Sequence, residues 1–480
     1  MSAALGALFA GSADFAQRPV WPGGQPWEGV TLFWIDGLVS GKNAAEDVLR
    51  PLTDALRLPG AEDAARTMER LERGAVWACS VRRRQTAEET AEDLVRGCCA
   101  VVFDAAGAAL TFEVKSEDTR SVGEPTVEKT VKGAKDAFVE TLRTNTALVR
   151  RVLRTPRLHL RQSRAGRRSG TEIALMWLDG VANPETVDEL SRRIAAIDVD
   201  GLTAAGNLEQ YLTDRPGSVF PQMLHTERPD TFAAELLAGR VGLIADGLPL
   251  GFLLPAALPA FLRVTDDRAQ HWLSASLLLL LRWLALLVSM LFPALFVAVA
   301  TYHQEMIPTS LLRSIIEAKQ QVPFSVAFEI FTLLLAFELL LEAGIRLPDP
   351  VGDTVSIIGA LIVGQAAVEA RVVSPISVIV VAATAICGFT QPSRDLSAAL
   401  RLLRFGMAIL AALLGLFGVA LGCAALVWYL CGMDSFGVPY ASPMAEGGFR
   451  EIIKAFLRLP LRADKYRERA LRTPDARNQK

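Results

Sequence analysis

Residues 283–300 read WLALLVSMLFPALFVAVA, eighteen positions without a charge. As a helix rising 1.5 Å per residue the run spans about 27 Å, close to the hydrocarbon thickness of a bilayer. The text around it is of the same kind. From Trp272 to Met433 the chain is dominated by Leu, Ala, Val, Ile and Phe, whereas residues up to about Gln270 mix Arg, Glu, Asp, Gly and Pro with short apolar runs. The mean hydropathy of +0.30 therefore averages two unlike halves, and the expected fold class is an α/β soluble N-terminal half followed by an α-helical polytopic membrane domain.

Five apolar segments stand out: 274–300, interrupted by Arg282; 322–345, carrying Glu329, Glu338 and Glu342; 354–370; 372–391; and 405–433. The N-terminus has no Lys or Arg ahead of a hydrophobic stretch, so no signal peptide is expected and the polar half is placed in the cytoplasm. The last thirty-one residues hold ten Lys or Arg against four Asp or Glu. This composition favours retention on the cytoplasmic side, either as a solvated, partly frayed tail or in contact with anionic membrane lipids. Both ends on one side require an even number of crossings, while the obvious segments number five. The expectation is four to six, with 241–262 a further candidate and 322–345 not necessarily a simple span.

The soluble half contains a repeat. LFWIDGLV (32–39) recurs as LMWLDGVA (175–182), and AVVFDAAGAALTF (100–112) resembles VGLIADGLPLGFL (241–253). Each pairs an alternating strand with a turn-interrupted apolar run, the pattern of two copies of one α/β module. Asp36-Gly37 and Asp179-Gly180 supply turns, so these acids are assigned to structure. A helix is expected over 132–154, with Phe138, Leu142 and Leu148 on one side, and then a basic connector, since no acid occurs between Arg150 and Gly170. The domain plan is 1–131 for module 1, 132–170 for the interdomain helix and linker, 171–270 for module 2, 271–433 for the membrane domain and 434–480 for the tail.

No phosphate-binding, nucleophile-elbow or zinc-protease pattern occurs, and the four histidines lack metal-ligand spacing. The six cysteines form no CxxC pair. The reading is of a non-enzyme with no cofactor, no metal and no nucleic-acid partner. The informative chemistry lies in TVSIIGALIVGQAAVEA (354–370). On a helix, Ile358, Ile362, Gln365 and Glu369 share one stripe, while Ala360, Gly364 and Ala367 share roughly the opposite one. Small residues suit close helix packing in lipid. An amide and an acid belong against protein or water. Two readings stay open: a permeation path lined by Gln365 and Glu369 and narrowed by Ile358 and Ile362, or an interfacial Glu369 paired with Arg371 and a Gln365 bonded to a neighbouring helix. Glu342 and Arg346, four apart, form a candidate pair at head-group depth.

Several motifs together resemble a known family. TERPD (226–230), LLAGRVGLIADGLPL (236–250), YHQEMIPTSLL (302–312), VPFSVAFE (322–329), EAGIRLP (342–348), the 354–368 stretch and GVPYASP (437–443) fall in the order seen in A subunits of GerA-type spore germination receptors. WLDGVANPETV (177–187) and FVETLRTNTALVRR (138–151) agree, so the resemblance spans nearly the whole chain. Gly133-Ala134-Lys135 and Leu341 depart from the usual family residues. The resemblance implies a multi-pass protein of the spore inner membrane that works with a transporter-like B subunit and a lipoprotein C subunit, and that forms a homo-oligomeric, nutrient-gated ion channel. It moves the reading of Gln365 and Glu369 toward a pore. Within TERPD, Pro229 and Asp230 suit a helix start, and Glu227 and Arg228 are expected to pair across the module or with membrane loops. Glu227, Arg228, Asp230, Glu329, Glu342 and Arg346 are thus the expected coupling residues. Alternatives are the sporulation-associated relative encoded with stage V channel proteins, a secondary transporter, and a non-conducting scaffold.

Overall fold

The computed structural model describes all residues except 25–28, 55, 57, 59–63, 79, 117–122, 129, 347–363 and 480. Module 1 is a five-stranded antiparallel sheet of β1 (Phe15–Pro19), β2 (Val30–Ile35), β3 (Val81–Arg84), β4 (Cys98–Phe103) and β5 (Ala108–Glu113), in the order β1-β2-β4-β5-β3. Module 2 repeats it with β6 (Leu158–Ala165), β7 (Thr171–Leu178), β8 (Leu224–Thr226), β9 (Val241–Ala245) and β10 (Gly251–Leu254), in the order β6-β7-β9-β10-β8. The two repeated sequence pairs become β2 and β7, and the hairpins β4-β5 and β9-β10. Residues 241–254 are therefore sheet core of module 2 and not a membrane segment.

Both faces of each sheet are covered. In module 1, α1 (Ser2–Leu8) and α2 (Ala87–Leu94) bury Leu5 and Leu94 against Phe33, Ile35 and Val102. In module 2, α3 (Leu142–Val152) and α5 (Pro229–Ala238) cover one face through Leu148, Val149, Phe232 and Leu236, while α4 (Pro184–Ala195) covers the other through Val187, Leu190 and Ile194. Each such side chain contributes about 1.5–3 kcal/mol by leaving water. Helix starts follow local chemistry: the Asn183 side chain accepts from the Glu185 amide ahead of Pro184, and Thr86 accepts from that of Glu89. Helix α3 is also the seam between modules. Its Ala147 packs into the module 1 core, and its buried Arg150 forms a bidentate pair with Asp14.

Further expectations are corrected. The interdomain helix starts at Leu142 and not at 132, because Asp246 accepts the Leu142 amide at 2.9 Å and fixes the helix start there. The chain just before it is tied to module 2 by the Phe138 amide on the Glu227 carbonyl. The basic connector is the edge strand β6, on which Arg164 pairs with Glu172 and Arg161 lies over the Trp177 ring; charges on an edge strand also discourage pairing with other chains. The tail is docked and not frayed. Arg467 donates to the Leu237 carbonyl, Leu471 is buried, and Glu468 bonds to Arg240 and Arg263 of module 2.

The helical half comprises α6 (Trp272–Tyr302), α7 (Thr309–Lys319), α8 (Val326–Arg346), α9 (Gly364–Glu369), α10 (Pro375–Phe389), α11 (Arg394–Cys431) and α12 (Phe449–Phe456). Among the described residues α6 and α11 are long and apolar enough to cross a membrane. Within α6, Arg282 forms a bidentate pair with Asp267. Helix α11 is not the single pass expected from 405–433. At Gly415 the backbone has φ 62° and ψ −144°, open in practice only to glycine. The chain doubles back there, so Gly418 lies against the Leu410 carbonyl, too close for a side chain, and Gly422 lies against the thioether end of Met407. Both ends of α11 meet module 2, Asp395 at His225 and Gly432 at Arg215, while the Tyr302 hydroxyl donates to the Ala412 carbonyl near the tip.

Candidate functional site

The far end of the bundle, remote from the modules, carries the segment singled out for a pore. Gln365 and Glu369 are exposed on α9, and Gly364 and Ala367 are half-covered. The turn after it closes with the Val372 amide on the Ala367 carbonyl. Ile358, Ala360 and Ile362 lie outside the described residues, as does the side chain of Arg346 at the end of α8 and with it the expected pair to Glu342. Glu342 itself lies on the last part of α8 and is exposed.

Beside α9, Glu329 is completely buried and gathers three elements. It accepts the Ser374 amide and the Ser377 hydroxyl, each at 2.9 Å, and pairs with Lys319 at 2.8 Å. An ionised carboxylate tolerates such burial only when its lone pairs are filled in this way. The site joins α7, the start of α8 and the Ser374 cap of α10, so Glu329 organises the helix starts around the candidate pore segment.

Midway along the bundle, Glu338 of α8 bridges Arg401 at 3.1 Å and Arg404 at 3.4 Å on α11. Arg404 is buried, and its Nε and Nη1 have no partner among the described residues. Sequence reasoning flagged Glu338 but missed the arginines. The signal was there: two arginines three apart, in otherwise apolar text, place both charges on one helix face.

The TERPD residues form a joint and not a surface site. Glu227 accepts the amides of Thr126 and Val127 at 2.9 and 3.2 Å. Arg228 is fully buried, fork-bonded to Asp230 at 3.1 and 2.7 Å, and donates to the Ala134 carbonyl at 2.9 Å. Pro229 opens α5 as expected. Together they bind the extended chain between the modules to the edge of module 2.

That edge faces the helical half across a cleft of about 500 Å³ lined by strand β8, Glu128, Phe261, Arg263 and the start of α11. Here His225, on β8, bonds through Nε2 to Asp395. Burial by itself pushes the imidazole down, yet the Asp395 carboxylate, with Glu209 and Glu128 nearby, holds its pKa above the ordinary value. Burial raises the carboxyls of Glu128 and Glu209. A second cluster closes the cleft from behind, where Glu235 joins Arg240 and Arg268.

With this architecture in place, the comparisons with known proteins decide the family. The model described as Bacillus/Clostridium GerA spore germination protein matches residues 3–470. The chain belongs to the GerA family. It is 35% identical over 465 residues to spore germination protein KA of Bacillus subtilis (strain 168), covering 97% of this chain and 85% of that one. It is also 35% identical over 429 residues to the uncharacterized membrane protein YfkQ of the same organism, covering 89% and 83%. Among solved structures, the N-terminal domain of the A subunit of the Bacillus megaterium spore germinant receptor GerK3 is 25% identical, covering 54% of this chain and 94% of that one at a TM-score of 0.41. Family and relatives together indicate a GerA-type spore germination receptor subunit. Among the described residues, the helical half of this GerA chain thus carries an exposed polar pair on α9 and two separate buried ion groups, one at Glu329 and one at Glu338.

Proposed function

We propose that this GerA chain is the A subunit of a germinant receptor in the spore inner membrane, and that copies of it surround a water-filled path for ions that opens when nutrient is sensed. It works there with a transporter-like B subunit and a lipoprotein C subunit, with its modules on the cytoplasmic side. The observation that carries the reading is the asymmetry of α9, whose Gln365 and Glu369 face open space while Gly364 and Ala367 are half-covered. In lipid an exposed amide and acid cost several kcal/mol, so a neighbouring copy or water has to meet them. The course of the bundle supports the same picture. Helices α6 and α8 lead away from and back toward the modules, α10 returns from the far end, and the two arms of α11 go out and back. Such a path suits an even number of passes, with modules and tail on one face. Carboxylate rings of this kind select cations.

The test is single-channel recording from the purified oligomer in bilayers. Glu369→Ala is expected to lower cation conductance several-fold and weaken cation selectivity, with Gln365→Ala altering conductance less. Unchanged conductance and selectivity in both variants overturn the assignment. Whether the chain serves a nutrient receptor or is the stage V-associated relative is read from its gene neighbours: adjacent B and C subunit genes support the first.

A further inference from the structure

Module 2 meets α11 at two places of different character. At the helix end the contact is broad and largely apolar, with Phe220 against Tyr429 of α11 and Tyr440 of the chain beyond it at ring-centroid distances of 6.2 and 6.0 Å, and Arg215 donating to the Gly432 carbonyl. At the helix start the two bodies are separated by the 500 Å³ cleft, and His225 reaches across it to Asp395. Among the described residues the imidazole has no other hydrogen-bond partner. Its Nδ1 is buried without a partner among the described residues, and Phe252 offers only a ring edge at 5.9 Å.

We infer that the His225–Asp395 contact is a proton-controlled latch that holds the first arm of α11 to module 2, with the apolar contact at the other end of α11 acting as the fixed pivot. This rests on the channel reading, for which it supplies the control element: the arm it holds carries Arg401 and Arg404, the partners of Glu338 in the bundle.

The charges around the imidazole set its sense. Glu227 and Arg228 follow it just beyond its strand, but the first is occupied by the amides of Thr126 and Val127 and the second by Asp230. Glu128 faces it from the chain between the modules, where it accepts the Thr226 hydroxyl at 2.6 Å. Glu209 faces it from the helix Ala205–Leu212, and Arg394 and Asp395 from α11. Among the described residues around it, acids outnumber the uncommitted cation Arg394, so the protonated ring is the favoured partner. A histidine held in this way is charged, and the latch closed, at and below its ordinary pKa of about 6.5; the latch opens as pH rises through the elevated folded value. An open latch lets the cleft widen about the pivot.

The experiment uses the full chain in nanodiscs, in a background with its native cysteines replaced by serine, with spin labels at Asp188→Cys on exposed α4 and Thr390→Cys just before α11. The label distance is read between about pH 5.5 and 8.5, the range in which histidine titrates, alongside the His225 ring titration by NMR, assigned with His225→Gln. The wild-type distribution is expected to be narrow at acid pH and to broaden several-fold in width at the midpoint of the His225 titration. Asp395→Asn lowers that midpoint and broadens the distribution at every pH. His225→Lys, charged throughout, keeps it narrow. A wild-type distance that does not respond to pH, or an Asp395→Asn protein that still narrows at acid pH, overturns the latch. These readouts need no conduction, so a titrating latch in a non-conducting protein refutes the channel reading alone, and a conducting protein with an immobile cleft refutes the latch alone.

Discussion

Glu329 shows what one residue decides in this chain. The sequence marks it only as an acid in apolar surroundings. In the structure its carboxylate satisfies two donors of the α10 start and neutralises Lys319. Glu329→Ala leaves the Ser374 amide without its acceptor and Lys319 without its counter-ion, with only the Phe324 carbonyl left to it, and breaking a buried pair by removing one member costs about 3–5 kcal/mol. Glu329→Gln keeps an acceptor and is expected to lose less. Unfolding of detergent-solubilised protein, followed by denaturant, checks both; an alanine variant as stable as wild type refutes the assignment. Arg228 is the counterpart in the soluble half. Its place in TERPD, ahead of Pro229, was readable as a helix start, but its bond to Ala134, ninety-four positions away, was not. Local spacing carries capping information, whereas a partner so distant in sequence leaves no local trace.

Among elements, α11 departs most from its sequence. Hydropathy sees a continuous apolar run, since glycine neither adds nor removes hydrophobicity, and so reports one pass. The turn at Gly415 depends on backbone torsions, and its closure on the contacts of Gly418 with Leu410 and Gly422 with Met407. Gly418→Leu is expected to force the arms apart, because its Cβ would lie 2.1 Å from the Leu410 carbonyl oxygen, and overpacking of this kind costs about 1–3 kcal/mol. A cysteine pair at Met407 and Gly422 should cross-link readily in the otherwise native chain and poorly once Gly418→Leu is added; equal cross-linking refutes the hairpin. Gly415→Ala should weaken the same cross-link, since alanine is strained at a positive φ. By contrast, the strands of both modules were legible. Their alternation and turn residues are local signals, and the internal repeat doubled them.

At the scale of the whole molecule, the tail joins the two halves. Burial would raise the Glu468 carboxyl, but Arg263 and Arg240 beside it hold the pKa down to about 2. The unfolded value of a glutamate is about 4.3, so this group stabilises the docked tail above that pH and loses its contribution as pH falls toward 2. Hydrogen exchange of residues 464–478, corrected for intrinsic rates, should rise between those limits, and Glu468→Gln should show raised exchange already at neutral pH. Tail exchange that is flat with pH refutes the clamp. The proposed path through the membrane also predicts sidedness. A thiol at Ser314→Cys in α7 should react with a membrane-impermeant maleimide from one face of sealed vesicles, and one at Asn478→Cys in the tail from the other. Labelling of both from the same face rules out the arrangement.

The sequence by itself determined the division into a polar and an apolar half, the duplicated α/β module and the family, because these rest on composition, periodicity and motif order along the chain. Only the tertiary structure decided that the basic connector is a sheet edge, that the tail is docked, that one apolar run is two antiparallel arms and that His225 meets Asp395. Each of these depends on groups far apart in the chain meeting in space, or on a torsion at a single glycine. Neither alters the local pattern of hydrophobicity from which a sequence is read.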